Sequence, residues 1–302
     1  MKPTLLILAA GMGNRYGGLK QVDPMGPSGE TLMEYGIYDA IKAGFKKAVF
    51  LFRDNIVSDF EKSYKKLQEH IEVEYAFQEL NPPVVFQGKQ LSYAPREKPW
   101  GTAHAVLSAA AVIDDPFAVI NADDFYGPSA YRVMGDFLKN VSSSQQDYAI
   151  VGYPIEKTLS DYGTVSRALL EVNGHNSLSK VVERTKIKET GGVINYYEDS
   201  QEVVIPAGTL VSTNFWGFTP VIFDSLHEQF SGFVLQNGED GKSEFYIPYA
   251  VNSLLESHAA SVEVLTCQDS WMGVTYREDK PGVVEQISSY ISQGTYPKSL
   301  WN

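Results

Sequence analysis

The apolar run Thr4–Ala10 stops abruptly at a glycine-rich segment, Gly11–Gly18, and this junction constrains the fold more than any other feature of the chain. A short apolar run bounded by glycine reads as a strand buried on both faces, the condition of a parallel sheet. Met33, Ile37, Ala40, Ile41 and Gly44 then recur at helical spacing, and Ala48–Phe52 is a second buried strand. The pattern predicts a helix from about Ile56 to His70, with Glu61, Lys62, Lys65, Lys66 and Glu69 on a solvated face. A strand over Ile71–Gln78, a helix over Thr102–Ala111 and a fourth buried strand, Phe117–Asn121, follow. Such alternation predicts an α/β fold, a Rossmann-like, mostly parallel sheet with helices on both faces.

After about Tyr148 the character changes. Tyr148–Tyr153, Thr164–Val172, Ser179–Glu183, Gln201–Ile205 and Leu210–Phe218 are strand-like, separated by turn residues such as Asn173-Gly174 and Gly191-Gly192. They read as an inserted antiparallel β subregion, a layer over a substrate site. Helices are expected at Val221–Phe230, Glu244–Ser257 and about Pro281–Ser292, with a short strand at Val262–Thr266. With no repeat or clear linker, residues 1–302 read as one domain. Its nucleotide-binding part covers about 1–147, its β-rich part about 148–220 and its helical part about 221–302.

A formal net charge of −12 argues against nucleic acid or an anionic membrane as partner, since both attract basic surfaces. A few placed cations can still hold a small anion. The single Cys267 has no partner for an internal disulfide, which suits a reducing compartment. The run after Lys2 is too short for a secretion signal, and no stretch reaches the ~20 apolar residues that span a bilayer. The expected location is cytoplasmic. Homo-oligomerisation is left open.

The segment Leu8-Ala9-Ala10-Gly11-Met12-Gly13-Asn14-Arg15-Tyr16-Gly17-Gly18-Leu19-Lys20 can turn sharply at Gly11 and Gly13 and present backbone N–H groups to phosphate oxygens, with Arg15 and Lys20 supplying charge. It lacks the Gly-Lys-Ser/Thr ending of a P-loop. Against a dinucleotide fingerprint its third glycine comes one residue late, and Asp54 is too far along to be the ribose acid. A plain βα turn with a solvated Arg fits the spacing as well. The segment does, however, resemble the signature of the sugar-phosphate nucleotidylyltransferases. That resemblance implies that Ala10, Gly11 and Gly13 hold a triphosphate, that Arg15 stabilises the leaving pyrophosphate and that Lys20 contacts phosphate.

Other stretches extend the resemblance. Gln78 matches a base-reading Gln, and Trp100-Gly101-Thr102-Ala103-His104-Ala105 matches the segment that opens a helix under the base. Gly101 allows backbone contact with a flat base, and Thr102 can cap the helix. His104 reads as a packed or surface residue. The insertion Glu79–Pro99 is longer than the family pattern. Asn121-Ala122-Asp123-Asp124 lies at the carboxyl end of a buried strand, where open α/β sheets bind ligands. The resemblance makes Asp123 a Mg²⁺ ligand and leaves Asp124 to a turn. The family's second metal carboxylate falls on Gly273, so Asp269, Asp279 or water would complete the site. Gly163, Glu183 and Asn214 match sugar-site positions, and Arg184 matches the cation that holds the sugar phosphate.

A sugar 1-phosphate is mostly dianionic near neutral pH, with a second pKa of about 6, and needs no general base to attack phosphorus. This agrees with the lack of an evident Ser/His/Asp or paired-carboxylate arrangement. The expected reaction is transfer of a nucleoside monophosphate from an NTP to a sugar 1-phosphate, with Mg²⁺, releasing pyrophosphate. A non-sugar acceptor such as phosphocholine, and a regulatory relative that binds nucleotide sugar without turnover, are the alternatives.

Overall fold

The computed structural model describes residues 2–9, 23–53, 60, 64–274 and 276–301. The strands of the first half are β1 (Thr4–Leu8), β2 (Lys47–Phe52), β3 (Glu72–Phe77), β4 (Val85–Phe86), β5 (Lys89–Gln90), β6 (Phe117–Asn121) and β7 (Asp124–Phe125). Those of the second are β8 (Asp147–Pro154), β9 (Val165–Val172), β10 (Leu178–Thr190), β11 (Val193–Glu198), β12 (Gln201–Val204), β13 (Leu210–Phe218), β14 (Ser261–Thr266) and β15 (Met272–Gly273). The helices are α1 (Leu32–Lys42), α2 (Thr102–Leu107), α3 (Pro128–Asn140), α4 (Ile222–Asn237), α5 (Ile247–Glu256) and α6 (Lys280–Ser292).

The parallel part runs β3-β2-β1-β6, as the alternation predicts. Leu5 and Ile7 of β1 face a core shared with α1, α3 and α6, while Leu6 faces a second core shared with α2, α4 and α5. Strand alternation therefore puts helices on both faces. α1 starts at a capping box: Thr31 Oγ1 accepts from Glu34 N–H, and Glu34 Oε2 accepts from Thr31 N–H at 2.8 Å. Among the described residues no helix is long and apolar enough to cross a membrane.

Several details differ from the sequence reading, the unanticipated α3 among them. Of the helix expected over 56–70, the described part is a 3-10 helix, Lys65–Glu69; residues 54–59 and 61–63 lie outside the description. α2 ends at Leu107, four residues early, and passes into turns closed by Ala110 N–H to Leu107 C=O. The strand expected over Ser179–Glu183 extends to Thr190 and pairs with the unanticipated β11. Finally, the β-rich segment is not a separate layer. β13 pairs with β6, so β8–β14 continue the same eleven-stranded sheet, in the order β12-β11-β10-β9-β13-β6-β1-β2-β3 with β8 and β14 branching from β13.

That branch is what makes a site. One edge of β13 pairs with β8 at Leu210–Ser212 and again at Trp216–Gly217. The other edge pairs with β9 through Ser212↔Ala168 and with β6 from Trp216↔Val119 onward. Between these ladders the register shifts, and Asn214 adopts φ +70°, in the left-handed region that Asn tolerates better than most residues. β9 and β6 thus diverge, leaving a fork in the sheet.

Candidate functional site

A cleft of about 820 Å³ fills this fork. Its size falls in the range of small-ligand sites. Asn121, Asp123 and Asp124 come from the end of β6, Ser212–Asn214 from the bend of β13 and Ser166–Ala168 from β9. Glu183 comes from β10, Thr102 from the start of α2, Tyr246 and Tyr249 from the start of α5, and Trp271 and Val274 from around β15.

The β6 end is held by a chain of hydrogen bonds that all run one way. Trp216 Nε1 donates to Asn214 Oδ1 (3.2 Å), Asn214 Nδ2 to Asn121 Oδ1 (2.8 Å) and Asn121 Nδ2 to Asp124 Oδ2 (2.8 Å). The indole can only donate and the carboxylate only accept, so both amide orientations follow. Tyr126 OH accepts from Asn121 N–H and reaches both Asp124 Oδ2 and Thr213 C=O. Burial, then the neighbouring Asp123 charge, raises Asp124 above the usual carboxylate range, against the Asn121 bond. The structure thus gathers Asn214, Asp123 and Asp124, whereas the sequence reading leaves Asp124 to a turn.

The acids offered as substitutes for Gly273 are engaged elsewhere. Asp269 Oδ2 accepts from Ser129 N–H (2.6 Å) and Oγ (2.5 Å), satisfying the N-terminus of α3 from a distance. Asp279 accepts from Tyr276 N–H (2.7 Å) and Ser160 Oγ (2.8 Å). Gly273 instead pairs with Asp124 across β15–β7, and a Cβ there would lie 3.0 Å from Asp124 Oδ1 and 2.3 Å from the Trp271 ring. The glycine is the space into which that ring folds.

Gln78 and Gly101 are hydrogen-bonded to each other and do not themselves line the cleft, although the next residue, Thr102, does. Gln78, buried at the end of β3, donates Nε2 to Gly101 C=O (3.0 Å) and to His104 Nδ1 (3.2 Å). Both its amide hydrogens are used, and the amide offers only an acceptor oxygen to a ligand. Gly101 sits at φ +99° and ψ −179°, a conformation essentially reserved for glycine. Thr102 does not cap its own helix: Gly101 is the N-cap and supplies no side chain, while Thr102 Oγ1 accepts from Ile247 N–H (3.1 Å), the first residue of α5. It joins two helix starts at the cleft.

His104 is packed, as read, against Phe230 with ring centroids 4.5 Å apart. Burial, and secondarily the Arg96 charge, lowers its pKa from 6.5 to about 4, so the neutral ring accepts from Gln78. Below pH 6.5 the unfolded chain takes up this proton and the folded chain does not, so stability falls as pH drops from 6.5 towards 4 and is unaffected above that window. Melting temperatures across this range are expected to fall less steeply for His104→Gln than for wild type; parallel curves would clear His104 of the effect.

Glu183 lines the cleft, where burial raises its pKa against the Arg167 charge. Arg184 does not line it: its guanidinium pairs with Glu198 on β11 and lies 4.9 Å over the Tyr196 ring. Gly163 is also outside the cleft lining, and a Cβ there would lie 2.4 Å from the Tyr276 hydroxyl, which donates to Thr164 C=O. Its smallness serves that contact. Ala10, Gly11, Gly13, Arg15 and Lys20 lie outside the described residues. Leu8, near the end of the described residues that precede them, pairs with Asn121 in the β1–β6 ladder.

Sequence reasoning missed Arg167, Trp271, Tyr246 and Tyr249 as cleft residues. Arg167 alternates with the apolar Val165 and Leu169 on one strand face, which was the only available signal.

A parallel sheet whose carboxyl edge carries acids and opens onto a cleft is the arrangement in which open α/β sheets generally take their ligands. The chain matches the nucleotidyl transferase family over residues 4–264 and belongs to that family. It is 23% identical over 297 residues to the UTP–glucose-1-phosphate uridylyltransferase AglF of Haloferax volcanii, covering 96% of this chain and 98% of that protein. Two solved structures share the fold. A UDP-glucose pyrophosphorylase complexed with UDP-glucose aligns with TM-score 0.58 and 17% identity, covering 96% of this chain and 99% of that one. The inositol-1-phosphate CTP transferase of T. maritima aligns with TM-score 0.60 and 13% identity, covering 96% of each.

Proposed function

We propose that the protein transfers a nucleoside monophosphate from a nucleoside triphosphate to a sugar 1-phosphate, with UTP and glucose 1-phosphate as its substrates. The observation that carries this is the placement of Asp123 and Asp124 at the cleft end of β6, next to the strand that leads into residues 10–20. UTP is supported by the AglF likeness and by Gln78, whose acceptor oxygen suits the N3–H of a uracil. Glu183 suits sugar hydroxyls.

The residues fit Mg²⁺. Asp123 and Asp124 supply hard oxygen ligands in the number that Mg²⁺ uses, with waters completing its shell. Asp124 engages its neighbours through Oδ2, and Thr213 Oγ1, buried at the cleft wall, has no hydrogen-bond partner among the described residues. Asp123 and Asp124 would hold the ion, which when bound would supply positive charge against the negative charge that develops on the departing pyrophosphate. The chain's own part is to align two polyanions and exclude water between them. Arg15 and Lys20 are assigned to the triphosphate and the cleft to the acceptor.

The test is a matrix of nucleoside triphosphates against sugar 1-phosphates, inositol 1-phosphate and phosphocholine, with and without Mg²⁺, scored by pyrophosphate. UTP with glucose 1-phosphate is expected to give the fastest Mg²⁺-dependent release. Release only with a non-sugar acceptor would replace the sugar assignment, and none with any pair would reduce the protein to a binding role.

A further inference from the structure

Arg167 and Arg184 stand directly opposite each other in the β9–β10 ladder. Like charges so placed repel, and each needs a counter-charge. Arg184 has one in Glu198. Arg167 turns the other way, with its guanidinium carbon 4.3 Å from the centroid of the Trp271 ring. Among the described residues it forms no salt bridge. Asp124 and Glu183 act on its charge from a distance.

The guanidinium has five N–H groups. Nη1 donates to Ser166 C=O (2.7 Å) and Nη2 to Thr158 C=O (2.5 Å), while the buried Nε has no partner among the described residues. A cation sunk in a cleft with unmatched donors is costly unless an anion arrives to meet it. The cation is also held in place. Carbonyls fix one side and Trp271 the other, and Trp271 can fold there because residue 273 is glycine.

We propose that Arg167, backed by Trp271, binds the phosphate of the acceptor substrate. Its location selects the acceptor over the triphosphate: Arg167 enters from β9, across the fork from the β1–β6 edge that leads into residues 10–20, and on the same ladder as Glu183. The choice of acceptor rests on the reaction proposed above; the existence of an anion site at Arg167 does not.

The variants are Arg167→Gln, which removes the charge and keeps a planar group over Trp271, Arg167→Lys, which keeps the charge and loses the plane, and Arg184→Gln. With glucose 1-phosphate and UTP varied in turn, Arg167→Gln is expected to raise the KM for glucose 1-phosphate on the order of 10–100-fold and to leave the KM for UTP within about threefold. Arg167→Lys is expected to fall between this variant and wild type. A rise confined to UTP, or a larger effect of Arg184→Gln than of Arg167→Gln on the acceptor, overturns the proposal. Calorimetric titration of inorganic phosphate and of glucose 1-phosphate into the folded proteins gives a second readout. Weaker binding of both to Arg167→Gln supports the site; equal binding, or none to wild type, overturns it. If wild type releases no pyrophosphate from any pair, the proposed reaction fails, and the phosphate titration alone decides Arg167.

Discussion

Asp123→Asn is expected to lower Mg²⁺-dependent turnover on the order of 10³-fold while changing substrate KM values far less. The substitution keeps size and shape and removes one charge from the β6 edge, where Asp123 and Asp124 both line the cleft. The two acids are not equivalent. Asp124 Oδ2 already accepts from Asn121 and lies within reach of Tyr126 OH, leaving Oδ1, beside Gly273, for a ligand. A Mg²⁺ site that draws on one or two protein carboxylates is badly weakened by losing either. Pyrophosphate release measured over a Mg²⁺ titration checks this, with Mn²⁺ binding followed by paramagnetic resonance as an activity-independent readout. Wild-type metal dependence in Asp123→Asn would remove that residue from the site.

Gly101→Ala is expected to destabilise the fold by about 3–5 kcal/mol, combining a glycine-only backbone conformation with a clash that no side-chain rotation relieves. A Cβ at this position would meet Phe245 backbone atoms at 2.6–2.9 Å. Those atoms cannot withdraw freely, since Phe245 N–H donates to Trp100 C=O and Phe245 C=O accepts from Ala103 N–H. Gly101 C=O also anchors Gln78, so nucleotide affinity is expected to fall with stability. Denaturant unfolding gives the first quantity. A loss below about 1 kcal/mol, the ordinary effect of a point substitution, would mean that the turn rearranges at little cost.

Much of this site is legible in the sequence because it sits where period changes to punctuation. Buried runs ending in Ala10-Gly11 or Asn121-Ala122-Asp123 mark strand ends, and the parallel half of the sheet follows from their alternation with helical spacing. Gln78 and Gly101 meet for the same reason. The rest depends on pairings between distant segments. Nothing local to Arg184 reveals that Glu198 will claim it, and nothing local to Asp269 reveals that Ser129 will. Thr102 reads as its own helix's cap until the fold brings Ile247 to it. α3 is different. Tyr131, Met134 and Leu138 have helical spacing, but the flanking Gly127-Pro128 and the internal Gly135 read as turn chemistry.

The placement of the cleft in a branch of one sheet limits how its aperture can vary. β9 and β6 are both tethered to β13, at Ser212 and at Trp216, so the gap between them is set by how many residues β13 carries across the bend. Adding or deleting one there would not widen the opening slightly; it would invert which side chains of the downstream segment face the ligand. Opening width in such a frame is therefore quantised, and acceptor preference can drift smoothly only through exchange of the side chains on its rim.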